Sequence, residues 1–113
     1  MGTWAYGIFD DDITLDLKDV FEEYIEEGLS VPETTKRTLE KHPWRFKVDD
    51  PRVYLAIASL QIEHGELQNN IKQAALNIIE SGKDIEAWKG DGKRALESRK
   101  KVLNELKSKL QNY

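Results

Sequence analysis

The chain has 113 residues, no cysteine and a formal charge of −4. That length suits one domain, 1–113, burying about two-thirds of its unfolded surface around a single core. The absence of cysteine excludes disulfides, thiolate nucleophiles and thiolate zinc sites. No apolar run reaches the roughly 18 residues that span a membrane. No basic segment followed by an apolar stretch opens the chain as a secretory signal would, so a cytoplasmic protein is expected.

Residues 1–10, MGTWAYGIFD, are aromatic and glycine-rich without a helical period. Trp4, Tyr6, Ile8 and Phe9 read as an extended arm lying on an apolar surface, with Gly2 and Gly7 permitting bends. The first helix is expected over 12–27. Ile13, Leu17, Val20, Phe21, Tyr24 and Ile25 recur at the spacing of one buried helical face, and Asp16, Asp19, Glu23, Glu26 and Glu27 fall on the opposite side. Asp10, Asp11 and Asp12 complement the positive helix end, with Asp12 expected as the cap, whereas Glu26 and Glu27 oppose the negative end.

Ser30-Val31-Pro32-Glu33 has the form of a capping box with proline in the first turn, starting a helix over 31–41. A polar, aromatic loop follows, in which Trp44 and Phe46 are expected to pin the chain to the core. Asp49-Asp50-Pro51 starts a third helix, 51–64. Its nearly continuous apolar run from Val53 to Ile62 makes it the expected central element. A fourth helix, 67–81, places Leu67, Ile71, Ala74, Ala75, Ile78 and Ile79 on one face. A turn of helix is expected around Ile85–Trp88, and a last helix, 93–111, uses Leu96, Val102, Leu103, Leu106 and Leu110. No segment alternates with period two, so the expected fold is an all-α bundle of about five helices with an N-terminal arm.

The net charge conceals a gradient. Residues 1–35 hold ten acids and one base, Lys18, for −9. Residues 36–82 come to +1, and residues 83–113, with nine bases and five acids, to +4. Such asymmetry reflects either a partner of opposite charge or two chain ends that attract each other in the fold. In the last helix Arg94, Arg99, Lys100, Lys101, Lys107 and Lys109 read as a solvated face. Nucleic-acid binding is not favoured, because the domain is acidic overall and Glu97 and Glu105 interrupt the basic patch.

Candidate chemistry is sparse. Asp10, Asp11, Asp12 and Asp16 lack the alternating ligands, glycine and terminal glutamate of a calcium loop. Glu63-His64-Gly65-Glu66 has one histidine where a zinc-hydrolase helix needs two, one turn apart. No nucleophile elbow or phosphate-binding glycine loop is present. No metal or cofactor is therefore assigned and no catalytic residue named. The acidic face of Asp16, Asp19, Glu23, Glu26 and Glu27 stands out as a surface able to steer a basic partner.

The opening MGTWAYGIFDDDITLDL resembles the start of a bacterial domain-of-unknown-function family, number 4259, whose members begin close to M-G-x-W-G-x-G-x-F-x-N-D-x-A-x-D. Met1, Gly2, Trp4, Gly7, Phe9, Asp12 and Asp16 fit that pattern, while Ala5, Asp11 and Thr14 depart from it. The segments YLAIASLQIEHG and IESGKDIEAWK resemble the family's helices more loosely. The resemblance implies a helical fold and no established catalytic residues. It also implies, by association with toxin and defence genes, an immunity-type role, with Gly2, Trp4, Gly7, Phe9 and Asp12 as a structural motif.

The function expected from these readings is a non-enzymatic, immunity- or antitoxin-like inhibitor that presents the acidic helix face to a basic protein. The alternatives are a metal-dependent hydrolase using Asp12, Asp16, Glu63 and His64, and a structural helical domain without a dedicated ligand.

Overall fold

Six helices follow one another along the chain: α1 (Asp12–Glu26), α2 (Val31–Lys41), α3 (Pro51–Glu63), α4 (Asn69–Ser81), α5 (Lys83–Ala87) and α6 (Lys93–Gln111). The computed structural model describes residues 8–9, 11–47, 49–87, 90 and 92–113, and no strand occurs among them. The all-α expectation holds. The sixth helix is the short α5, which begins two residues before the expected turn around Ile85–Trp88. The arm residues Met1–Gly7, including Gly2, Trp4 and Gly7 of the structural motif, lie outside the described residues, as does Trp88. Ile8 and Phe9 form a turn and pack partly buried against the core.

The helix starts follow local chemistry. Asp11, not Asp12, caps α1: its Oδ1 accepts from the Thr14 backbone N–H at 2.9 Å, while Asp12 is the exposed first helical residue. The cap position needs extended backbone, which Asp11 adopts (φ −118°, ψ 161°). Ser30 caps α2 by accepting from the Glu33 N–H at 3.3 Å. The capping box does not close, because the Glu33 carboxylate instead accepts from Arg37 Nε at 3.0 Å, one turn along the helix. Asp50 caps α3 through the Arg52 N–H and also receives the Arg52 guanidinium, with Nε at 3.1 Å and Nη2 at 2.8 Å. Arg52 Nη1 lies 3.6 Å from Asp11, so one cation sits between the two cap carboxylates. Partial burial pushes the Asp50 carboxyl up, but the hydrogen bonds and charge of Arg52 outweigh it and hold the group below its ordinary value.

Helix α4 starts at Asn69, two residues after the sequence expectation, because Gln61 captures Gln68. The Gln68 backbone N–H donates to Gln61 Oε1, and Gln61 Nε2 donates to Gln68 Oε1 and to Thr35 Oγ1, each at 2.9 Å. The buried Gln61 amide thus ties α3 to α2 and to the turn before α4. Helix α4 ends at Gly82, whose φ of 75° is the left-handed conformation that reverses the chain into α5.

Helix α3 is the central element. Val53, Leu55, Ala56, Ile57, Ala58, Leu60 and Gln61 are all buried, which leaves it almost no free face. α1 packs on α2 and α3, whereas α6 packs on α3, α4 and α5. Leu17 and Phe21 of α1 and Leu103, Leu106 and Leu110 of α6 belong to the same core.

Besides the Gln61 amide, further polar groups lie inside it. Arg99, expected on a solvated face, is 1% exposed and paired with Asp84 of α5: Nε donates to Oδ2 at 2.6 Å and Nη2 to Oδ1 at 2.8 Å. The reason is periodic. Arg99 stands four residues from Ala95 and four from Leu103, on the apolar side of α6. Within α2, Thr34 and Thr38 are fully buried one turn apart, and their hydroxyls meet no hydrogen-bond partner among the described residues.

Candidate functional site

The outward side of α1 is a continuous acidic stripe. Asp12, Asp16, Asp19, Glu23 and Glu26 stand at intervals of four, three, four and three residues, so they share one line down the helix, with Glu27 beside its end. Leu17 and Phe21 lie on the reverse side. Asp16, Asp19, Glu23, Glu26 and Glu27 are all exposed. The basic α6 does not cover them, so the charge gradient of the sequence is not neutralised by packing of the chain's two ends.

Relief of the negative field comes from the loop between α2 and α3. Arg45 Nη2 pairs with Asp16 Oδ2 at 2.7 Å. Lys18 instead lies over the Phe9 ring, 5.2 Å from its centroid, and Lys41 lies 5.6 Å from the centre of the Tyr24 ring. At the α2 side of the stripe, Glu33 and the nearby Glu27 charge contribute to raising the Arg37 guanidinium above its ordinary value, the Glu33 hydrogen bond being the larger effect. Asp19, Glu23 and Glu26 have no ion-pair partner among the described residues.

The same loop builds a notch against the stripe. Asp16, Asp19, Val20, His42, Trp44 and Arg45 enclose about 300 Å³. Trp44, expected to pin the loop, is instead 69% exposed, and Phe46 alone is buried. The backbone explains the division. The N–H groups of Arg45 and Phe46 both donate to the His42 carbonyl, at 2.9 and 2.8 Å, closing a tight turn that drives Phe46 inward and leaves Trp44 at its apex. The His42 ring sits between the two, edge-on, 5.1 Å from Trp44 and 5.8 Å from Phe46. His42 Nδ1 and Arg45 Nε are buried at the notch and meet no hydrogen-bond partner among the described residues. His42, Trp44 and Arg45 were not legible as site residues, because nothing local says that the loop folds back onto α1.

The alternative metal set is not assembled. Among the described residues no three His, Asp or Glu side chains gather in a geometry that holds a metal ion, so Asp12, Asp16, Glu63 and His64 do not form such a group. His64 caps the C-terminus of α3 through its backbone N–H, and its ring tilts over Phe21 at 5.7 Å. Of the structural-motif residues, Phe9 carries Lys18 above its ring, and Asp12 yields the capping role to Asp11. No described helix is long and apolar enough to cross a membrane.

Comparison with family models, with curated proteins and with solved structures finds no match.

Proposed function

We propose that this chain is a non-enzymatic, cytoplasmic protein-binding domain that holds a basic segment of another protein along the α1 stripe. The observation that carries this reading is Trp44, held 69% exposed beside Asp16 and Asp19. An indole face next to carboxylates suits a lysine or arginine side chain, which gains cation–π attraction and ion pairing together. Large aromatic anchors also dominate interface energetics. Asp16, Asp19, Glu23, Glu26 and Glu27 steer and align the basic segment, and Trp44 fixes it. The resemblance of the opening motif to family 4259 supports an immunity- or antitoxin-like role, in which the partner held is a basic effector.

The test is a magnetic-resonance titration of the labelled chain with a short lysine- and arginine-rich peptide. Amide shifts are expected along 16–27 and 42–46, weakening steeply as salt rises. Trp44→Ala is expected to reduce affinity about tenfold or more, in keeping with aromatic anchor residues. Shifts confined to other helices would overturn the reading. Saturable binding of zinc, manganese or magnesium at His64 would replace it with the hydrolase.

A further inference from the structure

The outward face of α6 carries a basic row with the same repeat as the acidic stripe. Lys93, Lys100 and Lys107 are spaced seven residues apart, as are Asp12, Asp19 and Glu26 on α1. Each step of seven advances about 10.5 Å along a helix axis with little rotation, so the two rows have matching pitch. Lys93 and Lys100 are exposed, and Lys107 is half-buried with only a long 3.9 Å approach to Glu80. A shallow trough of about 540 Å³ runs over this face beside Lys100 and Lys101. Glu97 and Glu105 line the same trough, so the positive potential of this face comes from the excess of lysines over these two acids.

The two rows do not meet within one molecule, because α1 packs on α2 and α3 while α6 packs on α3, α4 and α5. We infer that the α1 stripe of one copy docks on the α6 lysine row of a second copy, giving a head-to-tail, charge-driven association. With the helices antiparallel, Lys107, Lys100 and Lys93 face Asp12, Asp19 and Glu26 in turn, and the helix dipoles oppose favourably. A head-to-tail contact leaves one stripe and one lysine row free at the ends, so the association extends with concentration. It uses the face assigned above to a basic partner but does not rest on that assignment, because its complement is on the chain itself.

Sedimentation velocity tests it. At about 10 mM ionic strength, where charges are felt over about 30 Å, the average mass is expected to rise with protein concentration. At about 1 M salt, where that reach is about 3 Å, the chain returns to monomer. Asp19→Lys with Glu26→Lys, and separately Lys93→Glu with Lys100→Glu, each yield monomers at low salt. Mixing these two double variants restores association, because each then offers the complement of the other's altered row. The same charge change placed at Lys36 and Lys47 gives no such rescue when mixed with the α1 variant. A wild-type chain that stays monomeric at low salt would overturn the inference, as would association indifferent to both reversals or variants that fail to complement. Peptide binding by dilute monomer is read separately, so the two readings fail independently.

Discussion

Trp44 keeps most of its surface in water at the apex of a tight turn, where it adds little to the core. Its replacement by alanine should leave stability within about 0.5 kcal/mol, as for exposed positions away from special features. The large affinity loss expected with the basic peptide would then separate a binding role from a folding one, with chemical denaturation as the control. Arg99 is the converse case, a cation held at 1% exposure and paired with the equally buried Asp84 carboxylate. Arg99→Met should cost about 3–5 kcal/mol, because Asp84 is left charged and buried. Adding Asp84→Leu should recover a large part of that loss, since removing both charges removes the desolvation penalty. Equal losses in the single and double variants would show that the unpaired Asp84 charge is not the source of the loss. Asp50 makes a third prediction, in pH. Its folded carboxyl lies below its ordinary value, so the stabilisation is present at neutral pH and is lost as pH falls through that depressed value. Asp50→Asn keeps a competent cap while removing the charge paired with Arg52. It should lower stability at neutral pH and shrink the loss seen below about pH 4, where an ordinary carboxylate titrates.

At the level of elements, the helix starts and stops were legible in the sequence because the signals are local. Ser30, Asp50-Pro51 and Gly82 lie within a turn of the backbone groups they serve. Assigning the α1 cap between Asp11 and Asp12 turned on one backbone conformation, which composition does not reveal. Asp11→Ala should cost about 1 kcal/mol and Asp12→Ala a few tenths, measured by thermal or chemical unfolding. The α4 start was missed because its determinant, Gln61, lies seven residues upstream and acts through a hydrogen-bonded clamp. Arg99 was within reach: placed by period beside Ala95, Leu103, Leu106 and Leu110, it belongs to the apolar side, whereas counting bases along α6 put it in water. The buried threonines of α2 offer a gain in stability. Thr34→Val or Thr38→Val removes a hydroxyl that meets no partner among the described residues, at nearly constant shape, and should raise stability by about 1 kcal/mol each. A loss instead would show that the hydroxyl is satisfied by interior water.

Across the whole molecule, α3 separates a negative side from a positive one. The sequence already contained the gradient, but it left open whether the two ends cancel by packing, since that depends on which helices α3 brings together. The answer decides the candidate site, because the α1 stripe is exposed. The notch completing that site depends on a loop more than twenty residues from Asp16 and Asp19, a distance over which periodicity carries no information. Whether the stripe serves another protein or a second copy, its attraction is electrostatic in range and therefore weakens with salt.

The buried pair between α5 and α6 has a consequence for the order in which the chain is made. Helix α1 packs on both α2 and α3, so those contacts are available once residue 63 has left the ribosome, whereas the α4, α5 and α6 neighbours of α3 follow later. Asp84 then emerges into a unit that cannot yet neutralise it, and Arg99 follows 15 residues later. At about 5–20 residues per second that gap lasts about one to three seconds. The buried pair that joins α5 to α6 can form only after Arg99 has been made. The C-terminal half therefore passes through a short interval in which α3 is half-clothed, and a ribosome stalled between these two residues would present that surface to chaperones.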